Sequence, residues 1–334
     1  MIPNEARVTT SSIYTGTSLS GGRYEITKKL GVGGMATVYL AHDNNLNVSV
    51  AVKFPDPNLL QNADFRERFL QETRSLVSLR HPNIVKVIDV GQQEGTPYAV
   101  MDYLSGGSVN DQRYQDNQGN YLPVVPVFFD KWLNRIADAL DFIHRKGYVH
   151  RDIKPDNILF DDHGNAFLSD FGIAKVYEET KAAEQANLTR TGMLIGTPEY
   201  MAPEISLGQK YDGRSDQYSL AVLVYELLVG SRPFIGATPA ALVMKQMQKE
   251  FHQLSELQRR WGKSVTGVLT RALATDPGDR FASCCEFEGE LARAFANTPG
   301  RQIDERVVSK CPTCSAPIAI QPDWIGKIAK CNKC

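Results

Sequence analysis

Apolar and polar positions alternate at strand spacing through the first hundred residues and then change to helical spacing, which predicts two differently built lobes. From Arg23 to about Asn47, short strand-like runs surround a glycine cluster, and a Val-rich strand over Val48 to Phe54 carries Lys53. Asp64 to Leu79 reads as a helix, with Phe65, Phe69, Leu76 and Leu79 on one stripe. Two more strands fit Ile84–Val90 and Tyr98–Met101 before Ser105-Gly106-Gly107 ends the pattern. Beyond about residue 125 the spacing predicts helices over 126–146, 216–230 and 238–250, with further segments to Phe295. Short hydrophobic pieces interrupt them at Ile158–Phe160 and Ala166–Leu168. The expected class is α+β, a small strand-rich lobe with one helix followed by a larger helical lobe.

The two ends depart from this pattern. Residues 1–22 are rich in Ser, Thr and Gly with little apolar periodicity and read as a flexible tail. Asn297-Thr298-Pro299-Gly300 marks a break, so the main domain is taken as 23–295, with a linker at 296–308 and a separate cysteine-containing unit at 309–334. That the chain stops on Cys334 raises the expectation of a piece of a longer protein, with membrane anchoring beyond it. Composition adds exclusions. With 42% hydrophobic and 22% charged residues the chain is globular, and a net charge of −1 gives no bulk attraction to nucleic acid or to a membrane surface. No stretch approaches the ~20 apolar residues of a membrane span. The segment Ser219 to Gly230 carries Glu226 and reads as a buried helix. The first ten residues lack the apolar run of a secretory signal, so a cytoplasmic location is expected.

Chemistry gathers in four places. Leu30-Gly31-Val32-Gly33-Gly34-Met35-Ala36-Thr37-Val38 sets glycines between two strands, where backbone N–H groups can approach a polyphosphate. Glycine-rich hairpins are common, and no Gly-Lys-Ser/Thr follows, so this run alone is weak. Ala51-Val52-Lys53 then puts an ammonium in a strand that looks buried, where it needs a carboxylate and a phosphate as partners; Glu72, beside the apolar stripe of the first helix, is the candidate carboxylate. The run from Tyr148 to Leu159 contains His150-Arg151-Asp152-Ile153-Lys154-Pro155-Asp156-Asn157, and Asp170-Phe171-Gly172 follows the next apolar piece. A polar surface loop is the bland reading. Phosphoryl transfer from ATP needs this inventory: a carboxylate to orient a hydroxyl, oxygen ligands for Mg²⁺, and a cation against the transferred group.

These motifs, in this order, resemble the eukaryotic-type protein kinases, and among them the bacterial Ser/Thr branch, over roughly residues 24–295. The resemblance implies the bilobal protein kinase fold, ATP and Mg²⁺ (or Mn²⁺) as cofactors, and transfer of the γ-phosphate to Ser/Thr hydroxyls of protein substrates in bacterial-type signal transduction. It implies Asp152 as catalytic base, Lys53 on the α- and β-phosphates paired with Glu72, Lys154 against the γ-phosphate, and Asn157 and Asp170 on Mg²⁺. Leu30, Gly31, Val32, Gly33, Gly34, Met35, Ala36 and Val38 would line the nucleotide with Ala51 and Leu159; Met101 would be the gatekeeper, and Asp102 and Leu104 the hinge. Thr197, in Gly196-Thr197-Pro198-Glu199-Tyr200, would bond Asp152 and Lys154 in the substrate loop. Glu204 would meet Arg280, and Asp216 would brace the catalytic loop. The third glycine of the phosphate loop is Ala36 here, and Ala221 stands where the family often has Gly; both changes are mild. A scaffold of the same fold is expected to lose Lys53, Asp152, Asn157 or Asp170, and all four are present. A kinase of small molecules is expected to lack the peptide platform that Gly196–Tyr200 and Ala202-Pro203-Glu204 represent.

Arg151 beside Asp152 resembles kinases switched by phosphorylation of the activation segment, and Thr189 and Thr191 sit where bacterial relatives autophosphorylate. A homodimer for that autophosphorylation is an expected partner. Finally, Cys311-Pro312-Thr313-Cys314 and Cys331-Asn332-Lys333-Cys334 have the spacing of a structural Zn²⁺ site, a small zinc ribbon. Its purpose is open among protein, nucleic-acid and intramolecular contacts, with protein contacts preferred. Cys284 and Cys285 read as small core or surface residues, and His144 as packing or capping.

Overall fold

The computed structural model describes residues 14–33, 36–61, 63–116, 118–170 and 198–298, and the strands at 307–310 and 317–320. The described residues fall into two compact units, the first holding residues up to Arg80 and Val85–Tyr103, the second His81–Ile84 and residues from Leu104 on.

The first unit is an antiparallel sheet of β1 (Ser18–Leu19), β2 (Tyr24–Val32), β3 (Ala36–Asp43), β4 (Val48–Pro55), β5 (Val87–Gln93) and β6 (Thr96–Asp102), in the order β1-β2-β3-β4-β6-β5. Period-two alternation sends Tyr24, Ile26, Tyr39, Val50, Val52, Phe54, Tyr98 and Val100 into one core. The intervening Ala99 and Met101 face the other way, where Phe65 and Phe69 of α1 (Ala63–Leu76) pack on them. Within the span 1–22 expected as a tail, the residues from Tyr14 on are seated on the sheet. Tyr14 stacks on Phe54 at 4.1 Å and meets Tyr39 edge-on, Gly16 donates to the Ile26 carbonyl, and β1 pairs with β2. Two apolar anchors, Tyr14 and Leu19, are enough to seat a segment whose other residues are small and polar. The strand expected over Ile84–Val90 is displaced to Val87–Gln93, because Ile84 instead bridges Leu168 in the second unit.

The second unit is built around α4 (Gly213–Val229), whose residues from Ser215 to Val229 are all buried. Asp212 caps its N-terminus by accepting from the Arg214 N–H, and Gly230 closes it at φ 89°. Around it lie α2 (Leu133–Arg145), the four-residue α3 (Pro203–Ser206), α5 (Pro239–Gln248), α6 (Leu254–Ala272) and α7 (Cys284–Ala296), with α7 packed on both α2 and α6. A small hairpin of β7 (Ile158–Phe160) and β8 (Ala166–Leu168) lies between α2 and α3 in the chain. The helix expected over 126–146 is two pieces. Pro126–Lys131 forms a 3-10 turn, and Trp132, at φ −145° and fully buried against Phe128 and Phe129, breaks the spiral before α2. Among the described residues no helix is long and apolar enough to cross a membrane.

At the C-terminal end β9 (Val307–Lys310) and β10 (Pro317–Ile320) pair antiparallel, Lys310 opposite Pro317. Within the span 296–308 expected as a linker, α7 ends at Ala296 and β9 starts at Val307. The four cysteines of the C-terminal unit, Cys311, Cys314, Cys331 and Cys334, lie outside the described residues.

Candidate active site

Asp216, fully buried on the first turn of α4, organises the catalytic loop from below. Its carboxylate accepts the backbone N–H groups of His150 and Arg151 at 2.7 and 2.8 Å, and its Oδ2 lies 2.8 Å from Nε2 of His144 on α2. Two N–H donors turned onto one carboxylate hold Arg151 at φ 67°, a conformation few non-glycine residues adopt. The Arg151 guanidinium lies over the ring of Tyr211, 4.6 Å from its centroid.

The loop then presents its chemistry within a few residues. Lys154 Nζ stands 3.0 Å from Asp152 Oδ2, and the Asn157 side-chain amide donates to the same oxygen at 2.9 Å and to the Asp152 carbonyl at 2.7 Å. The carboxylate is thus aimed by two donors, one of them cationic. His150 is locked as the tautomer protonated at Nε2: that N–H donates to the Ser169 carbonyl at 2.9 Å, while Nδ1 accepts the Asp152 N–H at 3.3 Å. Ser169 returns its own N–H and hydroxyl to the Asn157 carbonyl. This stitching fixes the end of β8 to the loop and delivers Asp170, at φ 55°, beside it in the chain. Asn83 secures β8 from the other side, donating to the Ala166 carbonyl and accepting from Leu168. The only side-chain oxygen of Asn157, Oδ1, takes no part in the grip on Asp152. With the Asp170 carboxylate it supplies the hard oxygen donors that Mg²⁺ selects, so the residues present fit that ion.

A second buried pair supports the segment that follows. Arg280 bonds Glu204 through two parallel contacts of 2.7 and 2.8 Å and spends its remaining N–H groups on the carbonyls of Arg214, Ala274 and Thr275. Burial pushes the Glu204 carboxyl upward, but Arg280 and the Ser215 hydroxyl outweigh it and hold the group below its usual range. Burial likewise pulls the His144 imidazole down, while Asp141 and Asp216 on either side raise it to about 9. Tyr200 hydrogen-bonds Glu226 near the end of α4, and Glu226 in turn pairs at 2.8 Å with Arg113, whose side chain is buried over the Tyr121 ring.

In the first unit Lys53 lies on β4 directly between Val38 of β3 and Ala99 of β6. Paired residues share a sheet face, so Lys53 is on the side covered by α1. Glu72 belongs to that helix, although its side chain lies outside the described residues. Gly31 and Val32 pair with Val38 and Thr37, and the Gly33 N–H closes the turn onto the Ala36 carbonyl at 2.8 Å. Leu30 is on the strand leading in, and Ala51 pairs with both Leu40 and Met101. Asp102 ends β6 with its N–H on the Lys86 carbonyl, while Leu104 and Leu159 belong to the second unit. Gly34, Met35, Thr189, Thr191 and Thr197 lie outside the described residues.

Sequence reasoning missed His144, Ser169, Asn83 and the Arg113–Glu226–Tyr200 chain. The one available signal was the spacing of Asp141 and His144, which share a face of α2.

Comparison with known proteins agrees with this geometry. Residues 24–288 match the family described as protein kinase domain. The chain is 37% identical over 85% of its length to the serine/threonine-protein kinase PksC of Streptomyces coelicolor, covering 51% of that protein. It is 35% identical over 83% of its length to PknB of Mycobacterium leprae, covering 44% of that protein, and 34% identical over 82% to PrkC of Bacillus subtilis, covering 41%. The chain thus spans about half the length, or less, of these relatives. Among solved structures, the PknI kinase domain of Mycobacterium tuberculosis superposes with a TM-score of 0.63 at 30% identity, over 84% of this chain and 98% of that one. With its motifs, its strand-rich and helical units and a family match over 24–288, the chain belongs to the protein kinase domain family.

Proposed function

We propose that this chain is an ATP- and Mg²⁺-dependent Ser/Thr protein kinase that also phosphorylates its own activation segment. The observation that carries the reading is the Asp152 carboxylate held between Lys154 at 3.0 Å and the Asn157 amide at 2.9 Å. In the reaction, a substrate hydroxyl oxygen bonds to the γ-phosphorus of ATP as the bond to the β,γ-bridging oxygen breaks. ADP leaves, and the hydroxyl proton passes toward Asp152. Asp152 orients the hydroxyl, Lys154 offsets charge on the transferred group, and Lys53 and the glycine turn take the phosphates. Asn157 and Asp170 hold Mg²⁺, which when bound neutralises developing charge on the phosphates. Protein hydroxyls are the preferred substrates because the Pro198–Tyr200 segment of the substrate loop is anchored through the Tyr200 hydroxyl on Glu226, and the relatives above bear serine/threonine-kinase names. The role we assign is cytoplasmic signalling, with a homodimer as the unit of autophosphorylation. Incubation with labelled ATP and Mg²⁺, beside an Asp152→Asn variant, tests this. Label on the wild-type chain or a generic protein substrate, but not with the variant, is expected; no transfer by the wild type sinks the proposal.

A second reading concerns the C-terminus alone. We propose that Cys311, Cys314, Cys331 and Cys334 hold a structural Zn²⁺. Support comes from the spacing of the two Cys-x-x-Cys pairs, sixteen residues apart in the sequence. Replacing Cys311 and Cys314 by Ser is expected to remove one equivalent of zinc from the purified chain; unchanged zinc content overturns it.

A further inference from the structure

Behind the catalytic loop, α2, α4 and α7 bring together side chains that the proposed reaction does not use. Asp141 and His144 lie one turn apart on α2, and Cys284 and Cys285 are the first two residues of α7. A carboxylate oxygen of Asp141, a ring nitrogen of His144 and the Cys284 sulfur all lie within 4.8 Å of one another. Asp141 and Cys284 are buried and His144 is half-buried. Cys285, an exposed residue, donates its backbone N–H to Asp141 at 3.0 Å.

The orientation of His144 is what distinguishes this cluster from an ordinary polar contact. Its Nε2 is engaged by Asp216 Oδ2 at 2.8 Å, so Nδ1 is the nitrogen turned to Asp141, 3.7 Å away. Gly213 lies over the face of the ring: a Cβ there would stand 2.4, 2.6 and 2.8 Å from Nδ1, Cγ and Cε1. Such similar distances put α4 above the imidazole plane and leave the in-plane edge of Nδ1 toward Asp141 and Cys284. A histidine with one nitrogen on a carboxylate and the other facing a thiol and a second carboxylate has the arrangement of a metal ligand with its outer partner in place.

We propose that Asp141, His144, Cys284 and Cys285 form a binding site for a soft divalent transition ion, with Zn²⁺ the best match. Two sulfurs, an imidazole and one carboxylate oxygen make a four-donor tetrahedral set, whereas Mg²⁺ and Ca²⁺ call for all-oxygen shells. Binding draws the Asp141, His144 and Cys284 donors from within 4.8 Å to the spacing of about 3.6 Å that tetrahedral bonds of 2.0–2.3 Å require, and the Cys285 sulfur, on the next residue of α7, turns in as the fourth. The ion gains bonds to both sulfurs, to Nδ1 and to one Asp141 oxygen. The thiol protons and any proton on Nδ1 leave to solvent through the exposed Cys285 side, and no electrons move. The other Asp141 oxygen keeps one of the α7 N–H groups it now accepts, from Cys284 at 2.9 Å or Cys285 at 3.0 Å. Asp216 also holds the backbone of His150 and Arg151, so the ion would be coupled to the Asp152 loop through one carboxylate.

The test uses the full chain with Cys311, Cys314, Cys331 and Cys334 replaced by Ser, which leaves Cys284 and Cys285 as its only thiols. After metal is stripped, titration with Zn²⁺ is expected to show one bound equivalent, and Co²⁺ a sulfur-to-cobalt charge-transfer band. Saturating Zn²⁺ should slow iodoacetamide alkylation of Cys285 about tenfold or more. Adding Cys284→Ala is expected to abolish the band. Cys285→Ser, at an exposed position that does not endanger the fold, should weaken Zn²⁺ binding about tenfold or more, as for a lost ligand-shell contact. Absence of binding by the four-serine chain overturns the proposal, as does binding that neither cysteine substitution alters.

Discussion

Asn157 donates its side-chain amide to both the backbone carbonyl and the carboxylate of Asp152, at 2.7 and 2.9 Å, so the residue that ends the catalytic loop fixes the aim of the residue near its start. Asn157→Ala removes both donors and the Oδ1 assigned to Mg²⁺. A misaimed base costs orientation that the rest of the loop cannot restore. Turnover on a peptide substrate is expected to fall by about 100-fold or more, with a raised half-saturating Mg²⁺ concentration. Near-normal turnover with unchanged Mg²⁺ dependence would contradict the assigned role.

The Glu204–Arg280 pair is structural, and its removal should be read in stability. Arg280→Leu leaves a buried carboxylate without its cation, at a cost of about 3–5 kcal/mol. The shift of the urea midpoint measures it. The sign with pH follows from linkage. Glu204 titrates lower in the folded chain than its ordinary value of 4.5, so the pair's stabilisation is present above that value and is lost as pH falls through the lower, folded one. The difference between wild type and Arg280→Leu should therefore shrink on acidification. A gap that widens in acid would refute this account.

Gly213 makes room for His144, and its substitution probes that contact. A Cβ 2.4 Å from Nδ1 requires the imidazole or α4 to move, which should cost about 1–3 kcal/mol in Gly213→Ala and lower the thermal midpoint. Because His144 touches Asp216, a loss of turnover beyond the loss of folded protein is also expected. Gly267→Ala is the control. It is exposed on α6 with nothing within 4 Å of its Cβ, so it should gain about 0.4–1 kcal/mol. Equal effects of the two changes would remove the steric argument.

The residues proposed for the reaction stood out in the sequence because phosphoryl transfer gathers its groups into short runs. Asp152, Lys154 and Asn157 lie within six positions, and the Lys154 and Asn157 side chains both meet the Asp152 carboxylate. His144 was not legible as more than a packing residue, since Asp216 is 72 positions away and only α4 lying across α2 joins them. The Arg113–Glu226 pair spans 113 positions and hides for the same reason. Local pattern also failed where one large side chain overrides periodicity. Trp132, at φ −145°, interrupts an otherwise helical run where its ring is buried against Phe128 and Phe129. At the N-terminus, Tyr14 and Leu19 were too sparse to register as a pattern, yet the stacking of Tyr14 on Phe54 seats that segment on the sheet.

Regulation offers the last prediction. Arg151 is held at φ 67° by Asp216 with its guanidinium over Tyr211, so its direction is set by the loop rather than chosen freely. A phosphate carrying about −2 charge, on Thr189 or Thr191, is the ligand such a fixed cation suits. Replacing both threonines by Ala is expected to lower turnover on a protein substrate by about tenfold or more, the scale of one or two charge-assisted hydrogen bonds. Thermal stability should hardly change. Phosphatase treatment of the wild type should reproduce the loss, and preincubation with ATP and Mg²⁺ should reverse it in the wild type but not in the double variant. If the double variant turns over its substrate at the wild-type rate, with no lag before ATP preincubation in either protein, Arg151 has no such partner and the switch is absent.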